Sequence, residues 1–273
     1  MSTPRSRWLA VVAGLLTVAA TLALGGWQLG RAAEKQAAAA LIAQRARQQA
    51  WGDADWPCAA PGLPSGTVAA APGALPEHRP VRLHGHWLGE RTVFLDNRPM
   101  DGAPGFDVVT PLRLSRGPCA GRLLLVQRGW LPRDAADRQR LPRWRDTADE
   151  VSVPGRVLLQ LSRTYALGQE ALPSPGQLRP IRQNTDAAFW QHWLGQAPLA
   201  GALLQTDDDA AAAAMGVRLR RHWAAADSGV GKHQAYAAQW FAMSAVAAGL
   251  TLWFQFIRPW LRRSGQAAHA ARP

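Results

Sequence analysis

Two uninterrupted apolar segments bracket this chain, and between them the pattern of apolar and polar positions changes period. W-L-A-V-V-A-G-L-L-T-V-A-A-T-L-A-L-G-G-W-Q-L (8–29) and A-Y-A-A-Q-W-F-A-M-S-A-V-A-A-G-L-T-L-W-F-Q-F-I (235–257) contain no charged residue. At helical rise such a segment covers about 33 Å, enough to cross a hydrocarbon core about 30 Å thick. Tryptophans 8, 27, 240, 253 and 260 lie near the ends, where an aromatic belt belongs. The pattern predicts two transmembrane helices. The first is expected to be a retained anchor, because its apolar run exceeds that of a signal peptide. Arg5 and Arg7 precede it, and Arg258, Arg262 and Arg263 follow the second. Those sides read as cytoplasmic, with residues 258–273 as a cytoplasmic tail. Arg31, Lys35 and Lys232 lie on the opposite side and weaken the bias.

The segment between, 31–232, is expected to be an exported domain. R-A-A-E-K-Q-A-A-A-A-L-I-A-Q-R-A-R-Q-Q-A (31–50) holds strong helix formers and neither Pro nor Gly, so the first helix should continue out of the membrane. Residues 57–80 are rich in Pro and Gly and read as a linker. The period then shortens to two. Strands are predicted at 81–87, 91–97, 106–114, 122–130, 151–162 and 199–206. L-G-E (88–90) should close a hairpin between the first two, and R-G-P-C-A-G (116–121) another. Pro154 and Gly155 should bend or bulge the fifth strand. D-A-A-F-W-Q-H-W-L (186–194) reads as a short helix capped by Thr185 or Asp186. D-D-D-A-A-A-A-A (207–214) reads as a surface insertion. The expected fold is an α+β membrane protein, with two helices flanking an antiparallel β-rich domain curled toward a barrel.

Composition adds little to this. Apolar residues make up 48% of 273, and the formal charge is +12. Arginine is scattered, with no basic helix or aromatic RNA-binding motif, so nucleic acid is not an expected partner. Anionic lipid or an acidic protein suits the charge better. Cys58 and Cys119 are the only cysteines, and an exported location permits either a disulfide or two separate thiols.

Chemistry-bearing motifs are few. His84 and His86 share one strand face, as a metal pair would require, but no third ligand is evident and a solvated face explains them equally. No nucleophile elbow, phosphate loop, dinucleotide fingerprint or zinc-protease motif occurs, so nothing demands an enzyme. Asp96, Asp101 and Asp107 read as turn residues. On a helix, His233, Tyr236, Ala237, Trp240, Ser244, Ala247, Ala248 and Thr251 fall on one stripe. Gly14, Thr17, Thr21, Gly25 and Gln28 form another in the first span. Such stripes serve close helix packing or leave a slot for a flat ligand. A neutral imidazole at the top is a good axial ligand for haem iron, or else a simple interfacial cap.

Four blocks together resemble a known family. L-G-G-W-Q-L-G-R-A-A-E-K (24–35), F-L-D-N-R-P-M-D-G-A-P-G-F-D-V-V-T-P-L (94–112), L-L-V-Q-R-G-W-L-P (124–132) and H-Q-A-Y-A-A-Q-W-F (233–241) are similar, in order and spacing, to motifs of the Surfeit locus protein 1 family, the Shy-type assembly factors for cytochrome c oxidase. The resemblance implies a non-enzymatic assembly factor that binds haem a and aids its insertion into oxidase subunit I. It implies His233 as the axial ligand of the haem iron. It implies Tyr236, Gln239, Trp240, Trp27 and Gln28 as pocket residues, and Arg31 as a partner for a haem propionate. Subunit I, haem a synthase and membrane lipid are the implied partners, and a homo-oligomer stays open. The alternatives are a haem-free scaffold for a subunit I intermediate and a metal-dependent enzyme in the exported domain. Gln127 stands where the family usually has Asn, and the 57–80 linker and the 207–214 tract match poorly. With no Arg- and Ser-rich targeting region before Trp8, the expected setting is a bacterial inner membrane. Both termini would be cytoplasmic and the domain periplasmic.

Overall fold

The computed structural model describes residues 4–58, 75–142, 147–166, 168, 170–173, 177–207, 217–223, 229–262 and 264. Most of the expected 57–80 linker and of the 207–214 insertion lies outside these residues. The chain forms two compact units, Met1–Leu41 with Ala225–Pro273, and Ile42–Ala224.

In the first unit, helix α1 (Pro4–Ala46) runs through the first apolar segment and beyond it. The second apolar segment lies in helix α3 (Val230–Leu252), which continues through a π-type turn at Trp253–Ile257. Both helices are long and apolar enough to cross a membrane. In the apolar part of α1 the covered positions are 7, 11, 14, 18, 21, 25, 28, 32 and 35. This alternating spacing of four and three is that of a coiled-coil seam. On α3 the covered positions 233, 237, 240, 244, 247, 248, 251 and 255 answer it. The two expected stripes therefore pack against each other, antiparallel, except at Thr17, which is exposed with Val18 on the seam in its place, and at Tyr236, which is exposed. Gly25 faces the Phe241 ring, where an added Cβ would lie 2.6–2.9 Å from ring carbons. Gly14 faces Thr251 in the same way. Ser244 Oγ donates to Val18 O (3.4 Å), and Arg7 donates to Gln255 O (3.0 Å) inside the π-type turn. Trp8, Leu15, Leu16, Val246 and Leu250 point outward and are exposed.

The second unit is a β-barrel. Its strands are β1 (Pro80–Trp87), β2 (Val93–Leu95), β3 (Gly105–Leu114), β4 (Leu123–Pro132), β5 (Val151–Leu158), β6 (Ile181–Arg182) and β7 (Ala202–Gln205). The order β1-β5-β7-β4-β3 closes by a β3–β1 pairing into a five-stranded barrel, and β2 and β6 extend beyond it. Leu83, Leu112, Leu124, Val126, Val153, Val157 and Leu203 fill the main core. β3 and β4 are buried on both faces, because helix α2 (Ala187–Leu194) covers one outer patch with Phe189, Trp190 and Trp193. Asp186 caps α2 by accepting from Phe189 N (2.8 Å).

Three strand expectations are corrected. L-G-E does not close a hairpin, since β1 and β2 do not pair. Both run antiparallel to β3, β1 against Leu112–Leu114 and β2 against Asp107–Val109. Residues 88–91 form a 3-10 turn, held by Arg91 N to Leu88 O (2.9 Å), that interrupts one long strand direction without reversing it. The second predicted strand shrinks accordingly from 91–97 to Val93–Leu95. Finally, Pro154 and Gly155 sit in an unbroken ladder with β1. Pro154 is tolerated because it lies one residue past the last β5–β7 pair, Gly155 with Gln205, so that ladder asks for no N–H from it. Its carbonyl accepts from Thr206 N (3.1 Å). Gly155 lets β7 approach, since a Cβ there would strike Leu203 and the Leu204 carbonyl.

The bulge lies instead in β4. Val108 pairs with Gly129 and Val109 with Gln127, which leaves Arg128 as the extra residue. Its guanidinium stacks 3.9 Å from the Trp87 ring centre. Asp107 is not a turn residue either. It is a buried strand residue beside Arg98 (3.5 Å). Arg98 donates to Asp96 O, Thr164 Oγ1, Ser162 O and Gln183 O at 2.8–3.0 Å, tying the segments after β5 and β6 to the barrel. Gln127 hydrogen-bonds Asp107.

Cys58 and Cys119 form a disulfide with Cα atoms 5.5 Å apart. It joins residues 61 apart, and chain entropy assigns such a loop about 4 kcal/mol. Cys119→Ser is expected to lower unfolding stability by about 2–5 kcal/mol, measured by denaturant titration, and reductant should then have no further effect.

Burial pushes the Asp107 carboxyl up to about 6, against the opposing pull of Arg98 and of Gln127 and Ser162. A folded pKa above the unfolded value means the folded state holds the proton more tightly. The contribution is full below about pH 4 and is lost as pH rises through about 6. The stability of the wild type relative to Asp107→Asn should fall over that window and level off above it.

Candidate functional site

The heptad spacing of α1 brings Gln28 and Lys35 onto the seam, seven residues apart. At the same end, α3 begins after Gly229, and His233 N makes an early helical bond to Gly229 O (3.2 Å). Gly229 has φ 85°, a conformation that favours glycine, and a Cβ there would stand 3.3 Å from Lys35 Nζ. The start of α3 and the 28–35 stretch within α1 frame an open hollow of about 400 Å³. Gln28, Lys35, Gly229, Lys232, His233 and Tyr236 line it.

The central contact is His233 Nδ1 to Gln28 Oε1 at 2.7 Å. A carbonyl oxygen only accepts, so Nδ1 carries the proton. A neutral ring held this way has its lone pair on Nε2. A metal-binding imidazole is commonly oriented in this way, its second nitrogen donating to a fixed acceptor. Among the described lining residues the rim adds two ammonium groups and no carboxylate. The site can therefore offer one nitrogen to a metal, an exposed tyrosine ring to a flat face and positive charge to anions.

Of the residues singled out in the sequence, Gln28, His233 and Tyr236 meet at the hollow. Trp240 lies two turns deeper on the α3 seam, partly covered. Gln239 and Trp27 are exposed and do not line the hollow, and Trp27 is 58% exposed. Arg31 pairs with Glu34 on its own helix and also lies off the hollow. Lys35 and Lys232, which in the sequence are only charges flanking the spans, do line it. The signal that finds Lys35 is its place seven residues after Gln28.

Among the described residues of the barrel, the two strand histidines do not form a metal pair. His84 is held at both ends by Asp53, whose Oδ1 accepts from the backbone N and whose Oδ2 meets Nδ1, each at 2.7 Å. His86 Nδ1 meets Ala148 O (3.2 Å). Among the described residues no group of three or more His, Cys, Asp or Glu side chains is placed to hold a metal ion.

The SURF1 family model matches residues 15–245, most of the chain, so the chain belongs to the SURF1 family. No curated protein matches it significantly.

Gln28 fixes the tautomer of His233, and this is testable without any ligand. In protein labelled with ¹⁵N-histidine, His233 should show the Nδ1–H form. Gln28→Leu should return it to a tautomer mixture.

Proposed function

We propose that this SURF1 family member is a membrane-anchored assembly factor for cytochrome oxidase, not an enzyme, and that it binds haem a and passes it to oxidase subunit I. The observation that carries the reading is the Gln28–His233 hydrogen bond at the rim of an open hollow. The donor set fits a haem. Nε2 of His233 would be the nitrogen that binds the iron, Gln28 would hold the imidazole ring, and Tyr236 would lie beside the bound group. Bound there, the haem supplies only its iron as an acceptor for the imidazole. Release needs an open site, and this one lies at the surface of a helix pair rather than inside a closed core.

The same reading sets the surroundings. Outward-facing Trp8, Leu15, Leu16, Val246 and Leu250 suit lipid rather than water. Arginines flanking both segments favour a cytoplasmic location for the two termini, and the Cys58–Cys119 disulfide suits a periplasmic barrel. The barrel, held rigid by Arg98 and its partners, would offer the protein surface for subunit I or haem a synthase.

The test is the absorbance spectrum of the full-length protein purified from cells that make haem a, beside His233→Ala. A haem a spectrum is expected in the wild type and its loss in a folded variant. Equal spectra would move the ligand elsewhere, and no haem in either protein would favour a haem-free scaffold.

A further inference from the structure

We propose that the Cys58–Cys119 disulfide is a site of thiol–disulfide exchange: a dithiol protein reduces it in the folded barrel by attack on Cys58, and reduction frees Trp56 from the core. The two sulfurs differ in access, since Cys119 is fully buried and Cys58 only partly so. Both stand within thiol hydrogen-bond reach of one carbonyl, Trp56 O, at 3.4 Å from Cys119 Sγ and 3.8 Å from Cys58 Sγ. A disulfide has no S–H to donate, so this acceptor serves the reduced form. Trp56 itself is 2% exposed, and its indole N–H has no hydrogen-bond partner. A buried donor without a partner favours the state in which water reaches it. The two ends of the bond are held differently. Cys119 lies in the turn between β3 and β4, which closes on its own backbone through Gly121 N to Leu114 O (2.7 Å), Leu114 N to Arg122 O (3.0 Å) and Arg122 N to Cys119 O (3.0 Å). Upstream of Cys58 the chain is tied to β1 at Trp51, whose N donates to Pro80 O (2.9 Å) and whose O accepts from Arg82 N (2.8 Å), and at Asp53, which accepts from His84 N. Beyond Asp53 the disulfide returns the chain covalently to the barrel, with Trp56 packed in the same core cluster as Leu75, Leu199 and Cys119.

Atoms and electrons balance in the exchange. A thiolate of the dithiol bonds to Cys58 Sγ and the Cys58–Cys119 bond breaks. The electron pair leaves on Cys119 Sγ, which takes a proton and donates a hydrogen bond to Trp56 O. The dithiol's second sulfur, as thiolate, then attacks its first, and Cys58 leaves and is protonated. The dithiol is oxidised to a disulfide, losing two electrons and two protons, and the chain gains both.

The test exposes the full-length protein, in nanodiscs and without denaturant, to reduced thioredoxin. Thioredoxin lacking its second cysteine should be trapped as an adduct on Cys58 and not on Cys119, read by peptide mass. In protein reduced by intact thioredoxin, amide hydrogen exchange over 51–58 should rise at least about ten-fold, the scale of one buried unpaired donor. The strands β3 and β4 should stay as protected as in the oxidised protein. Cys58→Ser/Cys119→Ser should show the same exchange pattern untreated, with no response to thioredoxin. A disulfide that thioredoxin cleaves only after denaturant has unfolded the barrel is a structural staple, and the proposal is overturned. An adduct on Cys119 overturns it, as does unchanged exchange over 51–58 after reduction. Loss of protection in β3 and β4, in the reduced protein or in the double serine variant, makes the bond a condition of folding and overturns it as well.

Discussion

Close approach of α1 and α3 is the constraint on which the candidate site depends. Gln28 and His233 lie 205 positions apart, and their side chains meet at 2.7 Å only because the seam between the helices is built from small residues. Gly25 leaves room for the Phe241 ring, and Gly14 for Thr251. The polar side chains on this seam bond at once to helix carbonyls: Thr21 to Thr17 O, Thr251 to Ala247 O and Ser244 to Val18 O. In a setting without water those bonds leave none of these hydroxyl donors unpaired. The seam thus carries its polar atoms at low cost and ends on the one pair, Gln28 and His233, that reaches the hollow.

The four sequence blocks divide between two tasks. Those at 24–35 and 233–241 supply the hollow and its rim. Those at 94–112 and 124–132 build the barrel. Arg98 there is 6% exposed and Asp107 also 6%, a buried ion pair completed by hydrogen bonds on every side. Such a pair adds little net stability, but removing one partner strands the other. Its effect is to hold the segments around Ser162, Thr164 and Gln183 against β3. The V-Q-R-G-W run marks the bulge, where Arg128 leaves the ladder to stack on Trp87 and Gly129 admits Leu219. Gln127 keeps the polar function its position needs by bonding to Asp107.

The helices and their facing stripes are legible in the sequence, because uncharged length and a four-three spacing are local signals. The curled sheet and the α2 cap are legible for the same reason. The route of β1 into β2 is not, since L-G-E has the look of a hairpin turn and only the ten-residue length of β3 lets two short strands follow one another along it. Asp107 reads as a loop acid because the arginine that makes it a core residue comes from nine positions earlier, beyond a turn. Lys35 and Lys232 read as topology signals at the membrane face. Their shared hollow depends on the fold and not on either segment alone.

The central claim is that His233 supplies the nitrogen ligand. The most direct measurement is the hyperfine spectrum of ferric haem bound to full-length protein labelled with ¹⁵N-histidine. Coupling from one axial imidazole nitrogen is expected, retained in His84→Ala and His86→Ala and lost in His233→Ala. Coupling that survives His233→Ala, or bound haem with no coupled histidine nitrogen, would contradict the claim.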